Sequence, residues 1–583
     1  MINHDIAKIL REMAVFLDMD EVAFKPRAYE RAAREIEDRN LDVEDLKEIY
    51  KKDGLKALME IPGVGRGIAE HIAEFIKKGT FGEYEKYKKK YPVDISGLTS
   101  VQGVGPKMVK TLWRKLKIKN LADLEKAAKA GKIAKLERLG EKTEQKVLKG
   151  IEFLKSTGGR KILGFLLDEL RGLEKEVEAI PGVTKAVVAG SARRRKETIG
   201  DIDILAVSDI PERVMEKFIK LPFVSDVAAA GPTKTSVRLK WGLNADLRVV
   251  PKESFGAALL YFTGSKDHNV KLREIAIKKG LKLNEYGLFK GRKSVAGKTE
   301  KEVYKALGLH YIEPEMREDN GEIELALRQA QGKPGGLPKL IGYDDLMGNM
   351  QTHTDWSDGE ATLEETAKAA IEVGLQYILI TDHTRGLAMT GGADEKKMLK
   401  QMEEIDKLNS KFKSQKSKFR ILKGAEVNIG KNGELDLDEK VLEKMDVVGA
   451  AVHSHFNLSR AEQTKRIITA MENPHIDIIF HLTGRLINKR EAITIDFDEI
   501  LKVAKKTGTI LEIDAYPDRL DIKDDFIKKC VEAGVKMSIG ADAHSPEHYK
   551  YLEIGIAQAR RGWTKKSDII NAWSLDKMLK FLK

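Results

Sequence analysis

The sequence predicts a multidomain protein with α-helical domains at the front, an α+β region in the middle and a distorted (β/α) barrel at the back. Three observations carry this prediction. Residues 1–160 show apolar residues at three- and four-residue spacing, residues 185–250 contain short β runs, and beyond residue 339 apolar runs alternate with helical segments. The 583 residues are enough for about three to five domains.

The front of the chain is typical of helices joined by short turns, as in IAKILREMAVFL and LADLEKAAKAGKIAKL, and it lacks strand-like alternation. The β runs of the middle are KAVVAG, DIDILAV, TSVRLKW and ADLRVV, and helical periodicity returns in VKLREIAIKKG. Glycines and prolines accumulate beside charges around residues 313–339. This composition predicts an interdomain linker there.

Seven apolar runs in the back of the chain each end in polar side chains. Strands that alternate with helices indicate parallel βα units, and functional groups at the end of every strand are typical of a barrel. Seven units predict a barrel close to the eightfold form but smaller. The run ends are MQTHTDWSDG, YILITDH, RILKGAEVN, DVVGAAVHSH, DIIFHLTGR, ILEIDAYP and KMSIGADAH.

Charge is distributed unevenly along the chain. The net charge is +12, with +14 in residues 1–338 and −2 in residues 339–583. A basic front suggests binding to a polyanion such as DNA. The single cysteine, Cys530, excludes a disulfide scaffold, a thiolate zinc finger and an iron–sulfur cluster. Eight of the twelve histidines lie in residues 339–583, so transition-metal ligands are concentrated in the back.

Hydrophobic content of 42% is sufficient for packed cores. The N-terminus, MINHDIAKIL, lacks the apolar stretch of a signal peptide, and no run of 18 apolar residues occurs. These features predict a cytoplasmic protein with no membrane partner.

Two similar segments in the front, IPGVGRGIAEHI and VQGVGPKMVKTL, predict DNA-binding hairpins. Each has two glycines just before a helix, Gly63 and Gly65 in the first and Gly103 and Gly105 in the second, with Lys107 adding charge. Glycines permit a close approach, so N–H groups at the helix start can face a phosphate. The alternative is that these glycines only make tight turns. Two copies in a basic region favour DNA binding without sequence specificity.

The segment GSARRRKETIGDID predicts a nucleotidyl transfer site. Asp201 and Asp203 lie two residues apart in a β run, so both carboxylates emerge on one face, and Asp246 lies in another β run. Three carboxylates can hold two Mg²⁺ ions about 3.5–4 Å apart, as phosphoryl transfer requires. The alternative for the DID run alone is an exposed strand edge with solvated acids.

The residues just before this run are suited to binding a triphosphate. Gly190 and Ser191 follow the run KAVVAG and can open a helix, which presents N–H groups and a hydroxyl to an anion. Arg193 and Arg194 supply guanidinium charge to the same anion.

Together with NADLRVV and YFTGSKDHNVKLREIAIKKGLKLNEYGLF, this segment resembles the family X DNA polymerases, the DNA polymerase beta type. The resemblance implies that Asp201, Asp203 and Asp246 are the catalytic metal ligands and that Asp246 assists the primer 3′-hydroxyl. It implies that Gly190, Ser191 and Arg194 hold the triphosphate. It further implies that Tyr261, Phe262 and Gly264 contact the sugar and base, and that Asn269 and Arg273 face the nascent pair and the template.

The resemblance also implies the domain boundaries. We expect an N-terminal helical domain with the first helix-hairpin-helix, a fingers-like domain with the second, a palm, a thumb, a linker and a barrel. Their ranges are 1–89, 90–160, 161–250, 251–315, 316–338 and 339–583.

One departure concerns lyase chemistry. Family members that remove 5′-deoxyribose phosphate use a lysine on the first hairpin helix, and His71 stands there, with Gly67 at an accessory lysine position. Imidazole cannot form the iminium that an amine forms. The usual lyase reaction is therefore in doubt, although Lys25 and Tyr29 match neighbouring positions.

The strand ends of the back predict a metal site. Five of its eight histidines lie at such ends, whereas a lone histidine there is more often a core residue. Imidazoles with carboxylates suit Zn²⁺ or Mn²⁺, and Glu426 could bridge two ions. We expect His455, His475 and His548 to be surface or supporting residues. The candidate ligands are His353, Asp358, His383, Glu426, His453, His481, Asp542 and His544.

This back segment resembles the polymerase and histidinol phosphatase (PHP) domain, which implies a distorted (β/α)₇ barrel with a trinuclear metal site. The first motif of that family is His-x-His, but here Gln351 takes the first position and His353 the second. An amide is a weak ligand, so we expect one ion to bind less tightly.

Together these features predict a template-directed polymerase for DNA repair, including base excision repair, that uses dNTPs on gapped or primer–template DNA as a monomer. The barrel would be a 3′–5′ exonuclease, with AP endonuclease activity as a further expectation. A template-independent nucleotidyltransferase and a non-catalytic DNA-binding scaffold stay open as alternatives. For the barrel, the alternatives are a small-molecule phosphoesterase and an inactive, structural domain.

Overall fold

The computed structural model describes residues 2–38, 46–61, 63–101, 103–137, 139–156, 158–387 and 390–582. The chain divides into two compact units. One contains residues 1–159 with 488–490, and the other contains residues 160–487 and 491–583. None of the helices in these described stretches combines the length and apolar character that a membrane span requires.

The first unit is helical throughout its described residues, as the periodicity predicts. Residues from both predicted front domains join one hydrophobic cluster, in which Phe16 stacks on Tyr87 and Tyr91 and Leu112 is fully buried. Its helices are α1 (Ile2–Met19), α2 (Lys25–Asp38), α3 (Leu46–Met59), α4 (Arg66–Lys78), α5 (Gly82–Lys90), α6 (Ile95–Thr99), α7 (Pro106–Leu116), α8 (Leu121–Lys129) and α9 (Glu141–Ser156).

The second unit begins with a five-stranded mixed sheet. The strands occur in the order β2-β4-β7-β6-β5, and the central pair β4 and β7 is parallel while the other pairs are antiparallel. The elements are β1 (Lys161–Ile162), α10 (Leu167–Glu178), β2 (Lys185–Val188), α11 (Gly190–Arg193), β3 (Thr198–Ile199), β4 (Asp201–Val207), α12 (Pro211–Phe218), β5 (Val224–Ala230), β6 (Lys234–Leu239) and β7 (Asn244–Val250).

A small α+β region follows, with a three-stranded antiparallel sheet packed beside helices. Its elements are α13 (Phe255–Thr263), α14 (Lys266–Lys278), β8 (Lys282–Asn284), β9 (Gly287–Lys290), β10 (Lys293–Ala296), α15 (Glu300–Ala306) and α16 (Glu322–Ala330).

Helix α16 differs from the expectation of an interdomain linker over residues 316–338. Its Ile323 and Ala326, three residues apart, are buried in the same cluster as Leu309. The buried carboxylate of Glu322 lies 2.7 Å from His268 Nδ1 and accepts a hydrogen bond of 2.9 Å from the N–H of Asp319. A single apolar face and a buried polar contact suffice to fold this segment, although its overall apolar content is low.

The back of the chain forms the predicted seven-stranded parallel barrel. The strands lie side by side in chain order, and the pairing of Thr352 with Ala543 brings the first and last strands together. Its strands are β11 (Gly348–Asn349), β12 (Tyr377–Ile380), β13 (Arg420–Asn428), β14 (Val447–Ala451), β15 (Ile478–Ile479), β16 (Ile510–Asp514) and β17 (Met537–Gly540).

Helices cover the outside of this barrel and bury its apolar strand residues. They are α17 (Leu363–Glu372), α18 (Glu395–Ser414), α19 (Glu439–Leu442), α20 (Arg460–Met471), α21 (Phe497–Thr507), α22 (Asp524–Ala533) and α23 (Leu552–Arg561). The last helix, α24 (Leu575–Leu582), packs instead in a second apolar cluster with strand residues such as Tyr377 and Phe480. Because the strands are parallel, the polar residues that end them meet at one rim.

Candidate functional sites

Three aspartates meet on the central strands of the mixed sheet. Asp201 and Asp203 alternate with the buried Ile202 along β4, so both carboxylates lie on one face. Asp246 is the direct neighbour of Asp203 on the parallel strand β7. The sequence-predicted triad is thus brought together by strand pairing.

The carboxyl groups of this triad differ in how readily they ionise. Burial, together with the negative charges of Asp201 and Asp246, raises the pKa of Asp203 to about 6. Burial also opposes ionisation of Asp246, but hydrogen bonds of 2.7 Å from Lys234 and 2.6 Å from Ser236 hold its pKa below the usual value. Three carboxylates on neighbouring positions of two paired strands, one of them reluctant to ionise, fit a site for divalent cations, which would relieve the repulsion.

A sharp turn holds the predicted anion-binding residues beside the triad. Gly190 opens α11 with a φ of +62°, and a side chain there would place its Cβ 2.7 Å from Asp203 Oδ2. Glycine is therefore required at this position for two reasons, backbone conformation and the approach of the carboxylate. Arg194 follows α11, where its Nη1 donates a hydrogen bond to the carbonyl of Thr263 and its Nε donates one of 3.1 Å to Glu318.

Arg193 does not lie in the anion-binding cleft with Arg194, where the sequence predicts it. Its guanidinium forms a two-point ion pair with Glu300, with distances of 2.9 and 2.7 Å, and donates a further hydrogen bond of 2.6 Å to Thr263 Oγ1. Arg193 therefore holds α15 against α11, and Arg194 is the arginine that lines the cleft.

One cavity of about 450 Å³ collects the predicted nucleotide contacts. Asn269 Nδ2 donates a hydrogen bond of 2.7 Å to the carbonyl of Tyr261, and Arg273 Nε donates one of 3.3 Å to the carbonyl of Asn269. The lining includes all eight predicted nucleotide-binding residues and two of the three aspartates, with three cations that the sequence did not single out. The predicted residues are Gly190, Ser191, Arg194, Tyr261, Phe262, Gly264, Asn269 and Arg273, and the added cations are Arg160, Lys196 and Lys266.

In the barrel, the predicted ligands converge on Glu426, which is fully buried. Its Oε1 lies 2.7 Å from His481 Nε2 and 3.0 Å from His453 Nε2. Its Oε2 lies 3.3 Å from His353 Nε2 and 3.4 Å from His383 Nδ1. A carboxylate with imidazoles on both oxygens has the geometry of a bridging ligand.

The remaining predicted ligands extend this cluster along the rim. Asp542 Oδ1 lies 3.2 Å from His353 Nε2, and Asp358 Oδ1 lies 3.6 Å from His544 Nε2. Ligand atoms within 4.8 Å of one another form three overlapping sets. The sets are His353, Asp358, His383 and His544; then His383, Glu426 and His453; then His353, Glu426 and Asp542.

The ionisation of His383 and Glu426 and the free ring nitrogens of four histidines fit transition-metal ions. Burial lowers the pKa of His383 to about 3, so its imidazole is neutral and able to bind a metal. Burial alone would raise the pKa of Glu426, but the imidazoles of His383, His453 and His481 hold it well below its ordinary value. Ring nitrogens that are buried without a hydrogen-bond partner belong to His353, His383, His453 and His481.

Gln351 lies inside this cluster, as its place in the first motif implies. Its Nε2 donates a hydrogen bond of 3.3 Å to Glu426 Oε2, and its Oε1 is buried without a partner. The amide therefore turns its donor rather than its acceptor toward the bridging carboxylate. Arg519 Nε, which sequence reasoning missed, lies 3.2 Å from Asp542 Oδ2.

Several supporting residues of the barrel rim also escaped sequence reasoning. Asn428 Oδ1 lies 2.7 Å from His453 Nδ1, which directs Nε2 of that ring toward Glu426. Asp382 is buried and accepts hydrogen bonds of 2.8 Å from the N–H and 2.6 Å from the hydroxyl of Thr354. A polar residue beside each strand-end ligand, as in TDH and EVN, is the signal that could have identified them.

The two hairpins of the helical unit have matching geometry. Gly63 and Gly103 have φ values of +76° and +87°, and Gly65 and Gly105 cap α4 and α7. The space around Gly65 and Gly105 is open, so the helix starts can be approached closely. Lys107 is exposed at the second hairpin, 3.8 Å from Glu21.

His71 lies in a polar contact rather than at a free surface. Its Nδ1 is 2.8 Å from Tyr29 Oη, its Nε2 is 3.3 Å from Glu83 Oε2, and its ring stacks on Phe81. Burial lowers the pKa of His71, although Glu83 opposes this shift.

The fold and its sites define a nucleotidyltransferase-like palm joined in one chain to helical hairpins and a histidine-rich metal barrel. Family models match four segments: "Helix-hairpin-helix domain" at residues 1–81, "SAM-like Helix-hairpin-helix tandem" at 95–152, "DNA polymerase beta thumb" at 258–318 and "PHP domain" at 349–515.

Curated relatives agree with this organisation. The chain is 34% identical to the DNA polymerase/3′-5′ exonuclease PolX of Bacillus subtilis over the full length of both proteins. It is 26% identical to DNA polymerase lambda of Arabidopsis thaliana over 46% of this chain and 54% of that protein. A probable phosphatase of Thermoanaerobacter sp. is 36% identical over 33% of this chain and 78% of its own length.

The chain therefore belongs to the family X DNA polymerases, of the DNA polymerase beta type, that carry a C-terminal PHP domain. The sequence-predicted family and fold class are confirmed, and the chain is an enzyme of that family.

Proposed function

We propose that this enzyme is a template-directed gap-filling DNA polymerase whose barrel is a metal-dependent 3′–5′ exonuclease. The observation that carries the first part is the convergence of Asp201, Asp203 and Arg194 on one cavity. The full-length similarity to a polymerase/3′-5′ exonuclease supports joining the two activities in this chain.

In the polymerase site, Asp201, Asp203 and Asp246 would hold two Mg²⁺ ions. Bound there, the ions would supply charge stabilisation for the attacking and leaving oxygens of an in-line displacement. Asp246 accepts hydrogen bonds on both oxygens, so its orientation is fixed before the primer 3′-hydroxyl arrives. Arg194 would bind the triphosphate as the pyrophosphate leaves.

The other lining residues would select and orient the nucleotide. Tyr261 and Phe262 contact each other edge to face, which gives a rigid apolar wall for the sugar and base. The side chains of Asn269 and Arg273 are held by the backbone carbonyls of Tyr261 and Asn269, so both would be oriented before they face the nascent pair. Gly264 leaves room for Arg194, since a side chain at position 264 would place its Cβ 3.0 Å from Arg194 Nη1.

The helical hairpins would hold the duplex by its phosphates. Their capping glycines Gly65 and Gly105 offer unobstructed helix starts, and the exposed Lys107, 3.8 Å from Glu21, adds positive charge at the second one. Contacts of this type carry no sequence information, as a gap-filling enzyme requires.

In the barrel, the eight strand-end residues would hold Mn²⁺ or Zn²⁺, which would supply a hydroxide near neutral pH and stabilise phosphoryl charge. Glu426 would keep the cluster together because its two oxygens face different imidazoles. The basic front, with a charge of +14, would deliver DNA to a back whose net charge is −2. The substrate would be a DNA 3′ end, and abasic sites are a further candidate.

A small-molecule phosphoesterase is the second candidate for the barrel. The specific observation in its favour is the 36% identity to a probable phosphatase, which covers 78% of that protein. Degradation of DNA 3′ ends by the barrel would favour the nuclease, and release of phosphate from small phosphate monoesters alone would favour the alternative.

The test uses the full chain, a labelled gapped primer–template and Mg²⁺ or Mn²⁺, with and without dNTPs. Asp203→Ala should abolish extension and spare degradation, whereas Glu426→Ala should do the reverse. Asp209→Ala and Glu472→Ala serve as matched controls because both remove an exposed acid outside the two sites. Extension by Asp203→Ala at the wild-type rate would refute the polymerase site.

The nuclease assignment has its own refuting outcome. If degradation persists in Glu426→Ala and disappears in Asp203→Ala, the nuclease lies outside the barrel. If no degradation occurs with Mn²⁺ or Zn²⁺ in any protein, the barrel is not a DNA nuclease.

A further inference from the structure

Residues 190–193 form the turn that would bind the triphosphate, the triphosphate turn. The next four residues, 194–197, link this turn to the barrel. This segment leads from α11 toward the aspartate strand β4, and helix α23 of the barrel lies against it. Three side chains of α23 bond to it: Glu553 accepts a hydrogen bond of 2.9 Å from Arg195, Gln558 donates one of 2.8 Å to Glu197, and Arg561 donates one of 2.9 Å to the carbonyl of Arg194.

The carboxylate of Glu318 provides a further link between residues 194–197 and α23. Its Oε1 accepts hydrogen bonds of 3.1 Å from both Arg194 Nε and Arg561 Nη1, and Lys196 Nζ lies 3.6 Å away. Arg194 and Lys196 line the nucleotide cavity, but Arg561 does not. One carboxylate is thus shared between two cations of the cleft and one cation of the barrel.

Arg561 is fixed in this place. Only 2% of its side chain is exposed, and its Nη2 donates to Asp524 on α22. A guanidinium held so firmly draws the Glu318 carboxylate toward the barrel because charge-assisted hydrogen bonds are strong where water is excluded. The negative charge of Glu318 therefore neutralises Arg194 and Lys196 less than it would without Arg561.

We propose that Arg561 of the barrel is a positioning residue for the polymerase site, and that it sets the affinity for the nucleotide triphosphate through Glu318 and the carbonyl of Arg194. This inference rests on the proposed function. Without Arg561, Glu318 pairs only with Arg194 and Lys196, and the end of the triphosphate turn loses a backbone anchor. Both changes weaken triphosphate binding, while the three aspartates keep their positions on β4 and β7.

The experiment is steady-state primer extension by full-length Arg561→Gln over a range of dNTP concentrations. The KM for dNTP should rise about tenfold, the effect of losing one hydrogen bond to a charged group, whereas kcat should stay close to the wild-type value. Arg561→Lys keeps the charge and should recover most of the affinity.

Arg560→Gln is the matched control. Arg560 is the preceding residue of α23 and is also buried, but it donates to Glu315 and to the carbonyl of Ile341 and contacts neither Glu318 nor Arg194. The two glutamine variants should lose similar thermal stability, and only Arg561→Gln should raise the KM. Equal KM values in the two variants would overturn the proposal.

A double variant tests whether the effect passes through Glu318. Glu318→Gln frees Arg194 and Lys196 from the carboxylate, so its KM should not rise, and adding Arg561→Gln should raise the KM by much less than it does alone. An undiminished rise in the double variant would refute the role of Glu318.

Titration of the same proteins with Mg²⁺·dATP separates this inference from the proposed function. If the wild type binds dATP but does not extend primers, the proposed function fails, and the order of affinities among the variants still tests Arg561. If the wild type shows neither binding nor extension, both proposals are overturned.

Discussion

The raised pKa of Asp203 predicts that the Mg²⁺ requirement of primer extension depends on pH. Burial and the charges of Asp201 and Asp246 raise this pKa to about 6. A proton and a metal ion compete for the same carboxylate, so Mg²⁺ binds only the ionised form. The pKa of Asp246 is lowered, so this residue remains ionised over the same range.

The size of the effect follows from that value. A carboxyl with a pKa of about 6 is roughly 90% ionised at pH 7 and roughly 10% ionised at pH 5. The Mg²⁺ concentration for half-maximal extension should therefore be about tenfold higher at pH 5 than at pH 7. Above pH 7 it should change little, because Asp203 is then almost fully ionised.

The nucleotide also titrates and contributes to the pH dependence of the Mg²⁺ requirement. Two variants on β6 separate the contribution of the protein from that of the nucleotide. Lys234 lies 2.7 Å from Asp246 and lowers the pKa of Asp203, so Lys234→Met should move the rise in Mg²⁺ requirement to higher pH. Arg238→Met removes an exposed cation from the same strand, opposite Asn244, and should leave the profile of the wild type.

The assay is the initial rate of extension of a labelled primer in Mg²⁺ titrations between pH 5 and pH 8. A wild-type requirement that is constant between pH 5 and pH 7 would refute the coupling of proton and metal at Asp203. Identical profiles for Lys234→Met and Arg238→Met would refute the electrostatic account of its pKa.

Three further predictions concern single residues. Borohydride should trap little wild-type protein on a 5′-deoxyribose-phosphate end because His71 lacks an amine, and efficient trapping that Lys25→Ala abolishes would contradict this. Gln351→His should raise the number of Mn²⁺ ions retained per chain after dialysis, measured by elemental analysis, and an unchanged count would show that the amide does not limit metal binding. Lys107→Ala should weaken DNA binding and reduce the slope of log affinity against log salt by about 1 in fluorescence anisotropy, and an unchanged slope would place this lysine away from the phosphates.

The parts of the structure that sequence predicted well follow from short periodicities. Asp201 and Asp203 are two apart on a strand, and strand alternation alone places them on one face. The barrel ligands were predictable because parallel strands bring their carboxyl ends to one rim, whatever the lengths of the helices between them. His353 and His544 thus lie near a common carboxylate, Asp542, although they are almost 200 residues apart in sequence.

The parts that sequence missed depend on contacts between distant segments. Arg193 and Arg194 are adjacent, but successive residues on a helical turn diverge, so one binds Glu300 and the other lines the cleft. Nothing local to Glu318 indicates its partners, which come from α11 and from the barrel. Helix α16 is short and is flanked by charged residues and by glycines and prolines, which hide it in the sequence, and its burial depends on the elements that it packs against.

The two proposed metal sites differ in their candidate ligands, and this difference would separate their chemistry within one chain. The polymerase cluster consists of carboxylates alone and opens onto a cavity, which suits a hard ion such as Mg²⁺ that keeps several water molecules. The barrel cluster is largely buried and combines imidazoles with the carboxylate of Glu426, a ligand set that suits Mn²⁺ or Zn²⁺. We therefore expect the ligand types to set the ion preferred at each site. Because a Mg²⁺ ion competes poorly for imidazole nitrogens, we expect the proposed synthesis and degradation to respond to different ions, even though α23 of the barrel contacts residues 194–197 beside the polymerase site.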